Sequence, residues 1–383
     1  MKRFDWMDNI KINLLIMNFM GLWPTGDTSY KPGFYMLYTT VIVILVASHI
    51  LSEVINIYFV RDNLEMVVGI IYIILIEIMA ATKAVIVIRK MKTLKNTVKL
   101  IQSDWFQPQN NTQILLIQPS INFWKLIYKV FVTASIGCNI FWMIPLLSSS
   151  TMKKQLPFLA WYPYDAAVSP LYEITYVFQL VSTGYLTFIS INVDALICVF
   201  NVYSCCQFDL LSDNLRNLEF INDNPCETRA SLIWCITHHE QILRFVKSCN
   251  DFFKWILFWH LIVSGVSIGI TMFQLTLVTP FSTEFFSLLS FGCSIILQIF
   301  IYCYFGNEVE VRSNFVSYAT FESDWINFPH STKKDLLLFS MNLTRPLTIS
   351  TFNVFQLSLN TFVTILKTAW SYFALLYQLS GKS

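Results

Sequence analysis

Seven stretches of this chain are long and apolar enough to cross a lipid bilayer as helix, and that restricts the fold before any single residue is weighed. They run over 34–59, 66–88, 126–147, 171–203, 255–278, 285–305 and 347–379. Each reaches or exceeds the ~20 residues that span a hydrocarbon core. The expected fold class is therefore an all-α membrane protein of seven transmembrane helices. Composition agrees: 55% of residues are apolar and 13% charged, where a soluble domain carries ~25% charged residues. No loop is long enough to hold a separate soluble domain.

The basic residues set the expected orientation. Nineteen Lys and Arg fall in loops on one side, from Lys2 and Arg3 through Arg89, Lys90, Lys92, Lys95 and Lys99 to Lys333, Lys334 and Arg345. Arg61, Lys153, Lys154 and Lys382 fall on the other. Basic loops stay cytoplasmic, which places the N-terminus inside and, after seven crossings, the C-terminus outside. A G-protein-coupled receptor has the opposite orientation. The sequons Asn110-Asn111-Thr112 and Asn342-Leu343-Thr344 both lie in loops expected to be cytoplasmic, so neither should carry a glycan. No basic tract interleaved with aromatics points to nucleic acid, and the remaining surroundings are membrane lipid.

The chemistry of an enzyme is not legible. Cys138, Cys198, Cys293 and Cys303 fall in spans, the other five in or near the inner loop, and none pairs as C-x-x-C. Structural thiols are expected rather than disulfides or zinc. His238 and His239 are adjacent, so on a helix they point about 100° apart and do not converge on one metal. There is no Gly-rich phosphate loop and no G-x-S-x-G. No cofactor and no catalytic residue is expected. Glu53, Glu77, Lys83, Lys129, Asp194, His260 and Lys367 are ionisable within or near spans, where such groups are functional candidates or interhelical pairs.

Outside the spans, Phe4, Met7, Ile10, Leu14 and Met17 recur at helical spacing, which predicts an amphipathic helix at the inner membrane surface, ending at Gly21 before the Trp23-Pro24 turn. The fourth span overruns a bilayer's thickness through Asn192, Asp194, Asn201 and Tyr203. Residues 207–254 keep a helical apolar period, broken at Asn222-Asp223-Asn224-Pro225. Leu336, Leu337, Leu338 and Phe339 are too apolar to be left in water. The inner side therefore reads as a packed helical layer suited to contact between subunits. In the outer loop, Pro157, Trp161, Tyr162, Pro163 and Tyr164 make a rigid aromatic turn, either an interfacial anchor or a lid over a ligand entrance.

The last eighty residues resemble the C-terminal region of insect odorant receptors. The blocks are YCYFGNEV at 302–309, FESDW at 321–325, RPL at 345–347 and SYFALLYQL at 371–379. A Gly-Leu-Trp-Pro turn at 21–24 and the seven spans extend the likeness over the chain. Gustatory receptors share a terminal motif that here reads Ser371-Tyr372, five residues, then Gln378-Leu379; FGNEV and ESDW favour the odorant branch. The resemblance implies a ligand-gated, poorly selective cation channel assembled as a tetramer with a co-receptor of the same fold. The co-receptor carries a much longer second inner loop, so this chain resembles a tuned subunit. On that reading the chain divides into a cytoplasmic N-terminal segment at 1–32, helices one to four at 33–203, and a cytoplasmic helical segment at 204–254. Helices five and six follow at 255–306, then an anchor segment at 307–346, and a pore-lining seventh helix with a short outer tail at 347–383.

An odorant site should be an apolar cavity with few polar handles. On the third span Ser135, Cys138 and Trp142 share a helix face, and a similar face lines the cavity in family members. On the fourth, Tyr172, Tyr176, Gln179 and Thr183 share another, and Tyr72, Phe286 and Leu289 complete the candidate set. Such a wall suits a small volatile with an oxygen at one end. On the seventh span Ser371, Leu375, Gln378 and Leu379 share a face opposite Trp370, Phe373 and Tyr377. A leucine ring closing by dewetting, with Gln378 beside it, is the candidate gate. No Asp or Glu follows residue 347, so no strong ion selectivity is expected from this helix. A G-protein-coupled receptor would need the reverse orientation, and a secondary transporter an internal repeat that is not visible.

Overall fold

The structure is a computed structural model, and it describes residues 3–24, 33–148, 156–219, 225–345, 347–352 and 354–380. The chain is an all-α, multi-pass membrane protein. Its crossing helices are α2 (Phe34–Val60), α3 (Leu64–Arg89), α5 (Asn111–Ser148), α6 (Leu171–Arg216), α7 (Pro225–Leu277), α8 (Thr283–Phe321) and α10 (Leu359–Leu379). Shorter elements gather where the basic loops collect, here called the basic end: α1 (Lys11–Phe19), α4 (Met91–Ile101), α9 (His330–Leu343) and the hairpin of β1 (Ser350–Thr351) and β2 (Phe355–Gln356). Side-chain caps fix where several crossings begin. Asn63 accepts from the Met66 N–H, Ser282 from Phe285 and Ser358 from Thr361, each satisfying a donor the helix leaves unpaired.

Four of these helices are much longer than a bilayer requires. α7 has 53 residues, a rod of roughly 80 Å at 1.5 Å per residue, against a hydrocarbon core of ~30 Å. The excess of α5, α6, α7 and α8 runs into the basic end. The inner segment 225–254 and the fifth span are therefore one continuous helix, and the sixth span continues to Phe321. Periodicity marks helix but not the point where lipid stops, because the buried face stays apolar on both sides of that boundary. α6 is the central post. Every residue from 191 to 208 is buried, as expected of a helix surrounded by others.

Two expectations need correction. The seventh span was drawn from Leu347, but helix starts at Leu359. The residues before it form a hairpin in which Ser350 pairs with Gln356 and Thr351 with Phe355, with Phe352 in the left-handed region at φ 53°. The hairpin lies on α8 at Gly306, where any Cβ would overlap Leu357. Leu347 N–H donates to Ser313 Oγ at 2.9 Å and Gln356 Nε2 to Glu310 Oε2 at 2.8 Å. The FGNEV block is thus the platform on which the chain turns back into the bundle. The N-terminal helix, secondly, turns its Ile10, Leu14 and Met17 face into protein. Trp6 Nε1 donates to Phe106 O at 3.0 Å, and Tyr203 OH donates to Trp6 O at 2.6 Å. Its opposite face, Ile12, Leu15 and Phe19, is about two-thirds exposed. The helix ends as its sequence indicates: Gly21 takes φ 75° and Leu22 N–H reaches back to Met17 O at 2.8 Å, a left-handed cap that glycine supplies without strain.

α10 is held by α7. Gly265 and Gly269 of α7 face Ile365 and Ala369 of α10, and a Cβ at Gly269 would stand 2.8 Å from Ala369 O. Small residues four apart let two helix backbones approach closely within a membrane.

Candidate ligand-binding site

α3, α5, α6 and α8 splay apart in the half of the bundle remote from the basic end and line a partly open cavity of about 130 Å³. Helical register builds its wall. Ile73, Ile76, Glu77 and Ala80 form one face of α3; Thr183, Leu186, Thr187, Ser190 and Ile191 one face of α6; Phe291, Ser294, Ile295 and Gln298 one face of α8. Phe131 and Ser135 come from α5, and Phe158 from the outer loop. The space exists because small side chains, Ala80, Ser135, Thr183, Ser190 and Ser294, stand where larger ones would meet. A cavity of ~150 Å³ lined by aliphatic and aromatic groups admits a molecule of benzene's size.

Polar groups bound the cavity on two sides. Towards the basic end, Lys83 Nζ lies 2.6 Å from Asp194 Oδ1 and donates to Ser190 Oγ at 2.8 Å. The Gln298 amide also donates to Asp194. Against α2, Glu77 Oε1 accepts from Thr183 Oγ1 at 3.3 Å and lies 3.3 Å from His49 Nε2. Ser135 and Ser294 donate to the carbonyls of Phe131 and Ser290 on their own helices, at 2.9 and 2.8 Å.

Of the residues singled out in the sequence, Ser135 and Thr183 line this cavity. Tyr72 stands one layer behind it, its ring edge-on to Phe291 at 5.3 Å. Gln179 is fully buried and clamps the outer loop: it accepts from Phe158 N–H at 3.1 Å and donates to Phe158 O at 3.0 Å and to Tyr162 OH at 3.1 Å. It thereby fixes the ring that closes the cavity. Tyr172 and Tyr176 are buried with their rings 5.9 Å apart, beyond the cavity wall. Phe286 and Leu289 are 42% and 41% exposed and lie outside the wall. Cys138 and Trp142 belong to α5, but their side chains lie outside the described residues. Ser371, Leu375, Gln378 and Leu379 are all exposed along α10, and Trp370, on the opposite face, is 60% exposed. The wall residues not singled out, among them Ile73, Ala80, Ser190, Ser294 and Gln298, left a faint trace: small or polar residues recurring at i, i+3, i+4 and i+7 in spans otherwise filled by bulk.

The aromatic turn is pinned rather than loose. Trp161 N–H donates to Ser52 O at 3.0 Å, its ring stacks on Phe59 at 5.6 Å, and Tyr164 OH meets Thr175 Oγ1 at 2.8 Å. Anchored at both ends, it holds Phe158 across the cavity mouth.

These features define a polytopic helical membrane protein with an internal cavity of small-molecule size. The family profile described as 7tm Odorant receptor matches residues 62–370, and the chain belongs to the odorant receptor family. Odorant receptor 94a of Drosophila melanogaster is 22% identical over 99% of this chain and all of its own length. Odorant receptor 10 of Aedes albopictus is 25% identical over 78% of this chain and 80% of its own. In three dimensions the chain is similar to the insect olfactory receptor OR5 of Machilis hrabei, solved in complex with eugenol. The TM-score is 0.85 at 16% identity, covering 98% of this chain and all of that one.

Proposed function

We propose that this chain is a tuned subunit of an odorant-gated, non-selective cation channel in the plasma membrane of olfactory sensory neurons. It binds a small volatile in the cavity among α3, α5, α6 and α8, and opens a tetrameric pore together with a co-receptor of the same fold. The cavity carries this reading: its wall is mostly apolar, and its few polar groups suit a ligand with an oxygen at one end. A similar fold, that of OR5, has been solved with eugenol. The basic end faces the cytosol, in keeping with the charge of its loops.

Two further observations support the channel reading. Asn360, Thr364, Lys367, Ser371, Leu375 and Gln378 form an exposed, largely polar stripe along α10, the kind of face that lines an aqueous conduit rather than lipid. At the basic end, Phe315, Tyr318 and Phe321 of α8 and Leu337, Leu338 and Met341 of α9 are all more than half exposed. A solvent-facing apolar surface of that kind is an interface awaiting a partner.

The test is to record currents from cells expressing the chain with and without a co-receptor against a panel of volatiles. Oxygenated compounds should outrank hydrocarbons of equal length, since the hydroxyls of Ser135, Thr183 and Ser294 can share a further hydrogen bond with a ligand oxygen, a net gain of ~0.5–1.5 kcal/mol per bond. Ser294→Phe, which fills the cavity, should raise the effective agonist concentration about tenfold or more, the equivalent of ~1.4 kcal/mol, at unchanged surface expression. An unaltered dose–response would remove the cavity from recognition.

A further inference from the structure

Beside the cavity, between α2 and α3, three ionisable side chains converge. His49 and Glu53 stand one turn apart on α2 and Glu77 faces them from α3; they are 0%, 1% and 4% exposed. His49 Nε2 lies 3.3 Å from Glu77 Oε1 and 3.7 Å from Glu53 Oε1, and one ligating atom from each residue falls within 4.8 Å of the other two. The second oxygens, Glu53 Oε2 and Glu77 Oε2, are buried with no hydrogen-bond partner. Lys83, further along α3, is already matched by Asp194 at 2.6 Å.

Charge is the difficulty this arrangement poses. Two ionised carboxylates against one imidazole leave the cluster negative even with His49 protonated. An uncompensated charge inside a membrane-spanning bundle is costly. A divalent cation held by two carboxylates and a neutral imidazole brings the sum to zero and uses oxygens that otherwise have no partner.

We propose that His49, Glu53 and Glu77 form a binding site for a divalent transition-metal ion, with zinc as the fitting candidate. Bonds of ~2.0 Å at a tetrahedral angle place ligand atoms about 3.3 Å apart, against 3.3 and 3.7 Å from His49 Nε2 to the two carboxylates. One nitrogen with carboxylate oxygens suits zinc, whereas calcium takes six to eight oxygens and magnesium a near-octahedral, water-rich shell. Three protein ligands leave a fourth position open, and since Glu77 and Thr183 both line the cavity, that position looks into it. Thr183 Oγ1 donates to Glu77 Oε1 at 3.3 Å, an outer-shell contact of the kind that orients a ligating carboxylate, while His49 Nδ1 is buried with no hydrogen-bond partner. The imidazole is seated between the edges of Phe158 and Phe178, at 6.3 and 5.9 Å. A separate groove of about 390 Å³, lined in part by Ser48, Ser52, Tyr162 and Phe178, runs past the same turns of α2 without being lined by any of the three ligands.

The full-length chain in lipid nanodiscs, stripped with a chelator and re-exposed to zinc, tests the assignment without odorant or current. It should retain one equivalent of zinc, with an X-ray absorption shell of nitrogen and oxygen, a single imidazole and no sulfur. Zinc should also raise the thermal transition of the wild type and not that of the Glu53→Gln, Glu77→Gln double variant, which should lose the bound equivalent. A wild type that retains no zinc would show that the three groups share protons instead, and would overturn the proposal. So would a shell containing sulfur or two imidazoles, or equal zinc retention by the double variant. If that variant does not fold, the wild-type shell decides alone.

Discussion

At the scale of single residues, the structure supplies partners that sequence order hides. Glu77, Lys83 and Asp194 each stand out as an ionisable group in an apolar span, but Lys83 and Asp194 are 111 positions apart, and only the crossing of α3 and α6 joins them. A buried pair of this kind fails when one member is removed. Asp194→Asn should cost about 3–5 kcal/mol and lower surface expression, while replacing both residues by apolar ones of similar volume should recover most of it; thermal unfolding in detergent reads both. The adjacent histidines have a different fate. His238 turns to Gln207, with Nε2 3.0 Å from Oε1, and to Phe106, while His239 turns to Phe208 and Phe339. Burial pushes both rings down to about 4 from an ordinary value near 6.5. Between those values the unfolded chain binds protons that the folded one refuses. Their contribution is therefore complete above about pH 6.5 and is lost as pH falls towards 4, on the order of 3 kcal/mol per ring. Acid unfolding followed by denaturant midpoint should show that slope, and His238→Gln should flatten it.

At the scale of elements, the seven helices were legible because a crossing needs a long apolar run, but their ends were not. Beyond the bilayer α5, α6, α7 and α8 exchange lipid for protein, and both solvents accept the same side chains. The hairpin before α10 was hidden for a related reason: Leu347, Ile349, Phe352, Val354, Phe355 and Leu357 run on into the apolar residues of α10, yet the backbone is paired by β1, β2 and the Leu357 N–H to Ile349 O bond of 2.9 Å. The candidate gate was legible as a face of α10, and its meaning rests on exposure. If Leu375 and Leu379 close the conduit, the Leu375→Ser, Leu379→Ser double variant should raise current in the absence of odorant, partially if the co-receptor lines most of the pore. Phe373→Ser should instead impair folding, since that ring packs among the residues around Tyr72, Ile270 and Phe273. Normal basal current and unchanged permeability in the leucine variant would make α10 a packing helix.

For the whole molecule, the layer at the basic end is where the proposed assembly would find its partner surface. The apolar run 336–339 was readable, and the structure separates its roles: Leu336 and Phe339 are buried, Leu337 and Leu338 more than half exposed. The Leu337→Glu, Leu338→Glu double variant should therefore shift assemblies towards monomer on native gels while leaving the monomer's thermal transition within about 0.5 kcal/mol, the usual reach of surface changes. The cavity was the part least legible, because its wall is contributed by four helices whose register to one another no single stretch encodes. The contact of α7 and α10 has one more consequence, and it concerns how the protein is made. α10 carries Lys367 and a row of threonines, and it lies against α7 where Gly265 and Gly269 let the two backbones come close. A bulky residue at Gly269 should therefore part the two helices, and chains carrying Gly269→Leu should insert α10 and mature less efficiently than the wild type.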